Sequence, residues 1–241
     1  LQKWFSFSDF IAMYFINPAT GYLFSKSNRY CKTIDSGKTW VEFRNTGLES
    51  IKSIFSTDSL TTYLVGGFGH IYKTINGGGN WVKLTSGTTK DLESVFFTNK
   101  NTGYAVGNSG TILKTVDSGT TWTQQSLGAF YWLYSIYFTD INTGYIGGDD
   151  GIIFKTIDAG ITWTQQSVGT NITFFSIYFM DLNIGFAVGD NNKIHKTIDG
   201  GITWTEYITN SEGFFNCILF TNSNDGYIVG MDCVILKTKD G

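Results

Sequence analysis

The chain has 241 residues, of which 41% are hydrophobic, 17% aromatic and only 15% charged, with a formal net charge of −3. Its 20 Phe, 13 Tyr and 7 Trp supply ample apolar area for a core and exclude disorder. No stretch approaches the roughly 18 apolar residues of a membrane-spanning helix. Arg29 and Arg44 are the only arginines, so no basic stripe awaits nucleic acid.

In chain order, Leu1-Gln-Lys-Trp4 reads as the start of a strand without a leader-peptide pattern, as expected of a mature or trimmed chain. A repeat of 41 residues then organises the sequence. Gly followed by an aromatic recurs at Gly21-Tyr22, Gly103-Tyr104, Gly144-Tyr145, Gly185-Phe186 and Gly226-Tyr227, and only the second unit departs, with Thr62-Tyr63. Lys-Thr pairs begin at Lys32, Lys73, Lys114, Lys155, Lys196 and Lys237. Asp35, Asn76, Asp117, Asp158, Asp199 and Asp240 keep the same interval, as do Trp40, Trp81, Trp122, Trp163 and Trp204. In the third unit, residues 94–98, 103–107, 111–115 and 121–124 are β-branched and aromatic runs bounded by Asn, Gly, Ser and Asp, which predicts four strands. No window sustains a helical period, so helix is expected to be nearly absent.

A single four-stranded sheet cannot bury both of its apolar faces, whereas sheets packed around an axis cover one another. Six units therefore predict an all-β, six-bladed β-propeller of four-stranded antiparallel blades, one domain over residues 1–241. A β-sandwich is the next geometry, but it has no need of six equivalent units. Reading from Gly241 round to Leu1 places Trp4 five positions after Asp240, the Asp-to-Trp spacing of the other units. The N-terminal strand is accordingly expected to complete the last blade and close the ring.

Thr33-Ile-Asp35-Ser-Gly37-Lys-Thr39-Trp40 has the pattern Thr-x-Asp-x-Gly-x-Thr-Trp, repeated at residues 115–122, 156–163 and 197–204. Residues 74–81 are a degenerate copy with Asn76 and Asn80. An Asp in such a hairpin accepts main-chain N–H groups, and Gly takes the positive φ of the bend. The motif resembles the Asp-box, or BNR repeat, of bacterial β-propellers. The fuller template of Gly-Tyr-Ala-Val-Gly, Ile-Leu-Lys-Thr, Asp-x-Gly and Thr-Trp is similar to the photosystem II stability/assembly-factor-like repeats common in secreted bacterial proteins, over residues 12–241. That resemblance implies the propeller fold and a structural role for the repeated Asp, Asn and Trp. For function it leaves sialidases, other glycosidases and proteins without chemistry. A photosystem role is carried by the family name alone, and no arginine patch accompanies it.

Sialidases with this motif hold the substrate carboxylate with three arginines, which this chain does not possess. Other glycosidases use two carboxylates, and those off the repeat template are Asp91, Glu93, Asp149, Asp150, Asp190, Glu212 and Asp232. A converging pair among them is the alternative, enzymatic reading. His70 and His195 lack zinc spacing, and Asp149-Asp-Gly151 lacks the alternating acids of a calcium loop. No metal and no cofactor are therefore expected. His195 and Cys31 share one strand slot and should be packed inside, while Cys217 and Cys233 lie on one hairpin, which leaves a disulfide open.

Departures from the template mark a binding face. Phe130, Tyr131, Trp132, Tyr134, Phe175 and Phe214 are surplus aromatics of the third to sixth units, expected to share a face with Asp149, Asp150 and Asp190. Aromatic faces beside acids suit a partner's apolar patch or a sugar. The expectation is a non-catalytic binding or scaffolding module for protein or glycan, secreted or on the cell surface. A building block of a surface layer or filament is a third reading.

Overall fold

The computed structural model describes residues 10–25, 29–44, 47–125, 127, 130–211 and 213–241, which form short strands joined by turns. Blade 1 comprises β1 (Phe10–Phe15), β2 (Gly21–Ser25), β3 (Arg29–Thr33) and β4 (Val41–Arg44). Blade 2 comprises β5 (Ile51–Ser56), β6 (Thr62–Gly66), β7 (Ile71–Thr74) and β8 (Val82–Leu84), and blade 3 β9 (Leu92–Phe97), β10 (Gly103–Gly107), β11 (Thr111–Thr115) and β12 (Thr123–Gln125). Blade 4 holds β13 (Leu133–Phe138), β14 (Gly144–Gly148), β15 (Ile153–Thr156) and β16 (Thr164–Gln166). Blade 5 holds β17 (Phe174–Phe179), β18 (Gly185–Gly189), β19 (Lys193–Thr197) and β20 (Thr205–Ile208), and blade 6 β21 (Phe215–Phe220), β22 (Gly226–Gly230) and β23 (Ile235–Thr238). Every blade is an antiparallel sheet in up-and-down order, five of them four-stranded, with three described strands in blade 6. The all-β, six-bladed expectation holds. The closing strand expected of residues 1–7, with Trp4, lies outside the described residues. Two compact units divide the chain, Leu1–Ser126 with blades 1–3 and Leu127–Gly241 with blades 4–6.

Neighbouring blades within each unit are joined by the repeated residues. The aromatic of the second strand is buried and stacks on the Phe that ends the first strand of the next blade: Tyr63 on Phe97 at 4.0 Å, Tyr145 on Phe179 at 3.8 Å, Phe186 on Phe220 at 4.8 Å. Full burial of such a ring stabilises by about 1.5–3 kcal/mol. The Lys of the third strand lies over the same ring, at 5.2 Å for Lys73 and Tyr63 and 5.5 Å for Lys155 and Tyr145. Its ammonium then donates to a carbonyl in the next blade's Asp-box turn, Lys73 Nζ to Ser118 O and Lys155 Nζ to Gly200 O, both at 2.7 Å. The Tyr63 and Tyr145 hydroxyls donate to those same carbonyls at 2.8 Å. First strands are stapled by the repeated serine: Val95 N–H donates to Ser53 Oγ at 3.3 Å and Ile177 N–H to Ser135 Oγ at 3.1 Å.

The Asp-boxes act as the sequence implies. Asp35 Oδ1 accepts from the Thr33 hydroxyl and the Thr39 N–H, both at 2.8 Å, and Oδ2 accepts from the Thr39 hydroxyl at 2.6 Å. These donors, the Thr39 hydroxyl foremost, hold the carboxyl at about 2; Asp117, Asp158 and Asp199 are held likewise. Asn76 reproduces part of the pattern, accepting from Thr74 Oγ1 and Asn80 N–H at 2.9 Å. Trp40, Trp122, Trp163 and Trp204 stand edge-on to the Phe of their own first strand, at 6.0–6.1 Å. Trp81 instead stands edge-on to Phe24 of blade 1, because blade 2 has Ser56 at the Phe position.

Candidate functional site

Each first strand from β5 to β21 carries a β-bulge near its start, where the register against the second strand shifts: between Leu133 and Ser135, Phe174 and Ser176, Phe215 and Cys217, and likewise in blades 2 and 3. The skipped residue is Lys52, Glu93, Tyr134, Phe175 or Asn216. A bulged residue is released from cross-strand pairing, so its side chain is free to vary. The flanking Ile51, Leu92, Leu133, Phe174 and Phe215 are buried core, as expected. The glycine opposite each bulge is obligatory: a Cβ on Gly107 would lie 1.9 Å from Asp91 O, and one on Gly148 2.5 Å from Trp132 O.

In blades 4–6 the bulge and the residue two before it build a chain of rings. Trp132 meets Tyr134 at 6.5 Å and 66°, Tyr134 meets Phe175 at 5.2 Å and 79°, and Phe175 meets Phe214 at 6.4 Å and 81°. These edge-to-face arrangements are the favourable ones for aromatic pairs. Tyr134 and Phe175 are half-buried, while Trp132 is 53% and Phe214 42% exposed. Phe130, 90% exposed, sits just ahead of them in the chain. Tyr131 belongs elsewhere, packed on the buried Phe154 at 5.7 Å.

The expected acids brace this ladder. Asp149 Oδ1 accepts from Trp132 N–H at 3.0 Å, and Asp149 N–H donates back to Trp132 O at 3.0 Å. Asp190 holds Thr173 in the same two-way grip at 3.1 Å. Burial pushes the Asp149 carboxyl above the usual carboxylate range. Asp150, at φ 51°, lines an open depression of about 440 Å3 with Gln165, Gln166 and Asn171. That Asp149 and Asp190 clamp main chain was not legible from the residue pattern; their spacing of 17 residues to Trp132 and Thr173 carries meaning only once the bulge is known.

In blades 2 and 3 the bulge positions are charged instead. Lys52 Nζ lies 3.0 Å from Asp91 and 2.5 Å from Glu93, while Asp91 Oδ1 accepts from Phe68 N–H at 2.8 Å. Two of the off-template acids are thereby engaged, and Glu212 lies outside the described residues. Among the described residues no group of three or more His, Cys, Asp or Glu is placed to hold a metal ion, and no helix is long and apolar enough to cross a membrane. His195 and Cys31 are packed inside as expected, each 1% exposed. All three cysteines are free thiols, so the hairpin of Cys217 and Cys233 carries no disulfide here.

The family model described as photosynthesis system II assembly factor YCF48 matches residues 81–171 and 161–241. Among solved structures, YCF48 from Cyanidioschyzon merolae is similar with a TM-score of 0.75 at 18% identity, over 91% of this chain and 79% of that one. A structure of YCF48 bound to D1 peptide gives a TM-score of 0.56 at 19% identity, over 97% of this chain and 94% of that one. The GH74 enzyme of Niastella koreensis gives 0.78 at 18% identity, over 96% of this chain and 45% of that one. These likenesses show the β-propeller fold. No curated protein matches the chain.

Proposed function

The chain belongs to the photosynthesis system II assembly factor YCF48 family, and from that premise we propose that it binds an extended segment of another protein on the ring ladder of blades 4–6, without catalysis. One observation carries the reading: Trp132, Tyr134, Phe175 and Phe214 form a continuous run of contacting rings that remains open to solvent. Rings fixed by packing and by Asp149 lose little freedom on binding, so their contact area converts efficiently into affinity. The complex of YCF48 with D1 peptide supports a protein ligand over a glycan. The depression beside Asp150, Gln166 and Asn171 offers polar groups to a peptide main chain.

The test is a peptide array and pull-down with the full chain, repeated with Trp132→Ala and Phe175→Ala. Each substitution should weaken the bound peptide by about 2 kcal/mol, roughly thirtyfold. Unchanged binding in both variants would refute the ladder as the site. Binding only on a glycan array would replace protein by sugar.

The glycoside-active reading has two observations on its side, the fold shared with a GH74 enzyme and the raised carboxyl of Asp149, a property suited to a general acid. Asp149→Asn separates the two. Asn still accepts the Trp132 N–H, so peptide binding should persist, whereas any glycan hydrolysis should vanish. Placement outside the cell, expected from the low charge, is part of the proposal, and fractionation of the source cells tests it.

A further inference from the structure

The ring ladder occupies the start of β13 and β17, whereas the Asp-box and the turn after the first strand lie at the other end of the same blades. Three side-chain slots open to solvent there: the residue before the Asp-box carboxylate, the residue two before the Trp, and one in the turn after the first strand. Blade 1 fills them with Ile34, Lys38 and Pro18, blade 2 with Ile75, Gly79 and Ser59, and blade 3 with Val116, Thr120 and Lys100. Blades 4 and 5 differ, because all three slots are aliphatic. They hold Ile157, Ile161 and Ile141 in blade 4, and Ile198, Ile202 and Leu182 in blade 5, each 55–76% exposed.

The backbone gathers these six side chains. Ala159 N–H donates to Asn142 O and Gly200 N–H to Asn183 O, both at 2.9 Å, which ties each box to the turn of its own blade. The Tyr145 hydroxyl and Lys155 Nζ donate to Gly200 O, which ties blade 4 to the box of blade 5. Exposed aliphatic residues are ordinary when scattered singly, but a contiguous group marks an interaction surface. Carboxylates accompany the group. Asp158 and Asp199 are held at about 2 by their threonines. The N–H groups of Ile184 and Asn183 hold the Asp181 carboxyl below the usual range, and at Asp140 the cost of burial is outweighed by donors of the same kind. The turn itself needs no charge. Asn99 Oδ1 in blade 3 and Asn222 Oδ1 in blade 6 accept the same two N–H groups, at 2.9 and 2.8 Å, as Asp140 and Asp181 do at 2.7–2.8 Å.

We propose that the Asp-box end of blades 4 and 5 is a docking surface for a cationic amphipathic segment of another protein. Its apolar side chains cover the six aliphatic residues, and its Lys or Arg side chains meet Asp140 and Asp181. Charge complementarity selects this occupant. An anionic lipid surface would be repelled by the same carboxylates, and a second copy of the chain, face to face, would set them against one another. Apolar burial supplies the affinity, and the acids set the sign of charge that the partner must carry. The surface is separate from the ring ladder and does not rest on the function proposed for it.

Fluorescence anisotropy of the full chain with a labelled amphipathic helical peptide of leucine and lysine is the test. Saturable binding is expected, about tenfold or more tighter than that of the same peptide with glutamate in place of lysine. The double variant Ile161→Thr and Ile202→Thr, which installs the residue of blade 3 in that slot, should weaken it about tenfold. Asp140→Asn with Asp181→Asn keeps the turn acceptor that Asn99 provides, so the fold is retained; it should weaken binding several-fold at low salt and little at high salt. Trp132→Ala should leave this binding unchanged, which separates it from the ladder. Absence of saturable binding, equal binding of the glutamate peptide, or equal binding by the isoleucine variant overturns the proposal. So does a dimer in sedimentation, or flotation with phosphatidylserine vesicles, that the isoleucine variant abolishes, because another occupant would then cover this surface.

Discussion

The glycine that opens the second strand is set by one contact. A Cβ on Gly103 would lie 2.5 Å from the Phe97 ring, and Gly144 and Gly185 face Phe138 and Phe179 as closely. Blade 2 departs from the glycine because it also departs from the Phe: Thr62 and Ser56 share a hydroxyl contact of 2.8 Å. Gly103→Thr alone should therefore destabilise by about 1–3 kcal/mol through overpacking, and Phe97→Ser by about 3–5 kcal/mol through the lost ring. The double variant should cost clearly less than the sum in denaturant titrations; strict additivity would disprove the pairing. The Asp-box carboxyls make a second case. Their folded values lie near 2, below the ordinary 3.8, so they stabilise the fold fully above about pH 4 and lose that contribution as pH falls toward 2. Melting temperature should drop across that window, and Asp117→Asn should make the drop shallower. Asn76 does not titrate, so blade 2 should add nothing to this acid branch.

At the scale of the element, the bulge is the device that frees one residue per first strand from the repeated pattern. It aims one residue per blade away from the strand ladder, and the opposite glycine admits the preceding carbonyl. Gly148→Ala should displace the Trp132 main chain, lowering both stability and affinity for the ladder's peptide; loss of stability with unchanged affinity would uncouple the two. Between blades, the lysine latch couples one blade's third strand to the next blade's turn. Lys73→Met keeps the stem over Tyr63 but loses the bond to Ser118 O, and should cost about 1–2 kcal/mol in chemical denaturation.

For the molecule as a whole, stability in repeat architectures comes from each repeat's contact with its neighbours. Blade 6 has Leu219, Val229 and Ile235 exposed, whereas blade 5 is packed on both sides within its unit. Hydrogen exchange should therefore be fastest at β23 and slower in β17 and β18; uniform protection across blades 5 and 6 would contradict this. The same fold serves an assembly factor and a GH74 enzyme at about the same level of identity. Architecture alone thus does not select the activity, and on the reading proposed above the residues at the bulges and in the loops do.

The sequence by itself determined the six units, the strand order within them, the Asp-box turns and the core slots, because each is a local pattern repeated in phase. It also singled out Trp132, Tyr134, Phe175 and Phe214 as departures from that pattern. It did not tell that Tyr131 packs on Phe154, that Asp149 and Asp190 clamp main chain, or that Thr62 answers Ser56. Those depend on which atoms a bulge and an antiparallel register bring within reach. Register acts between strands distant in the chain, so its consequences are readable only after the strands have paired.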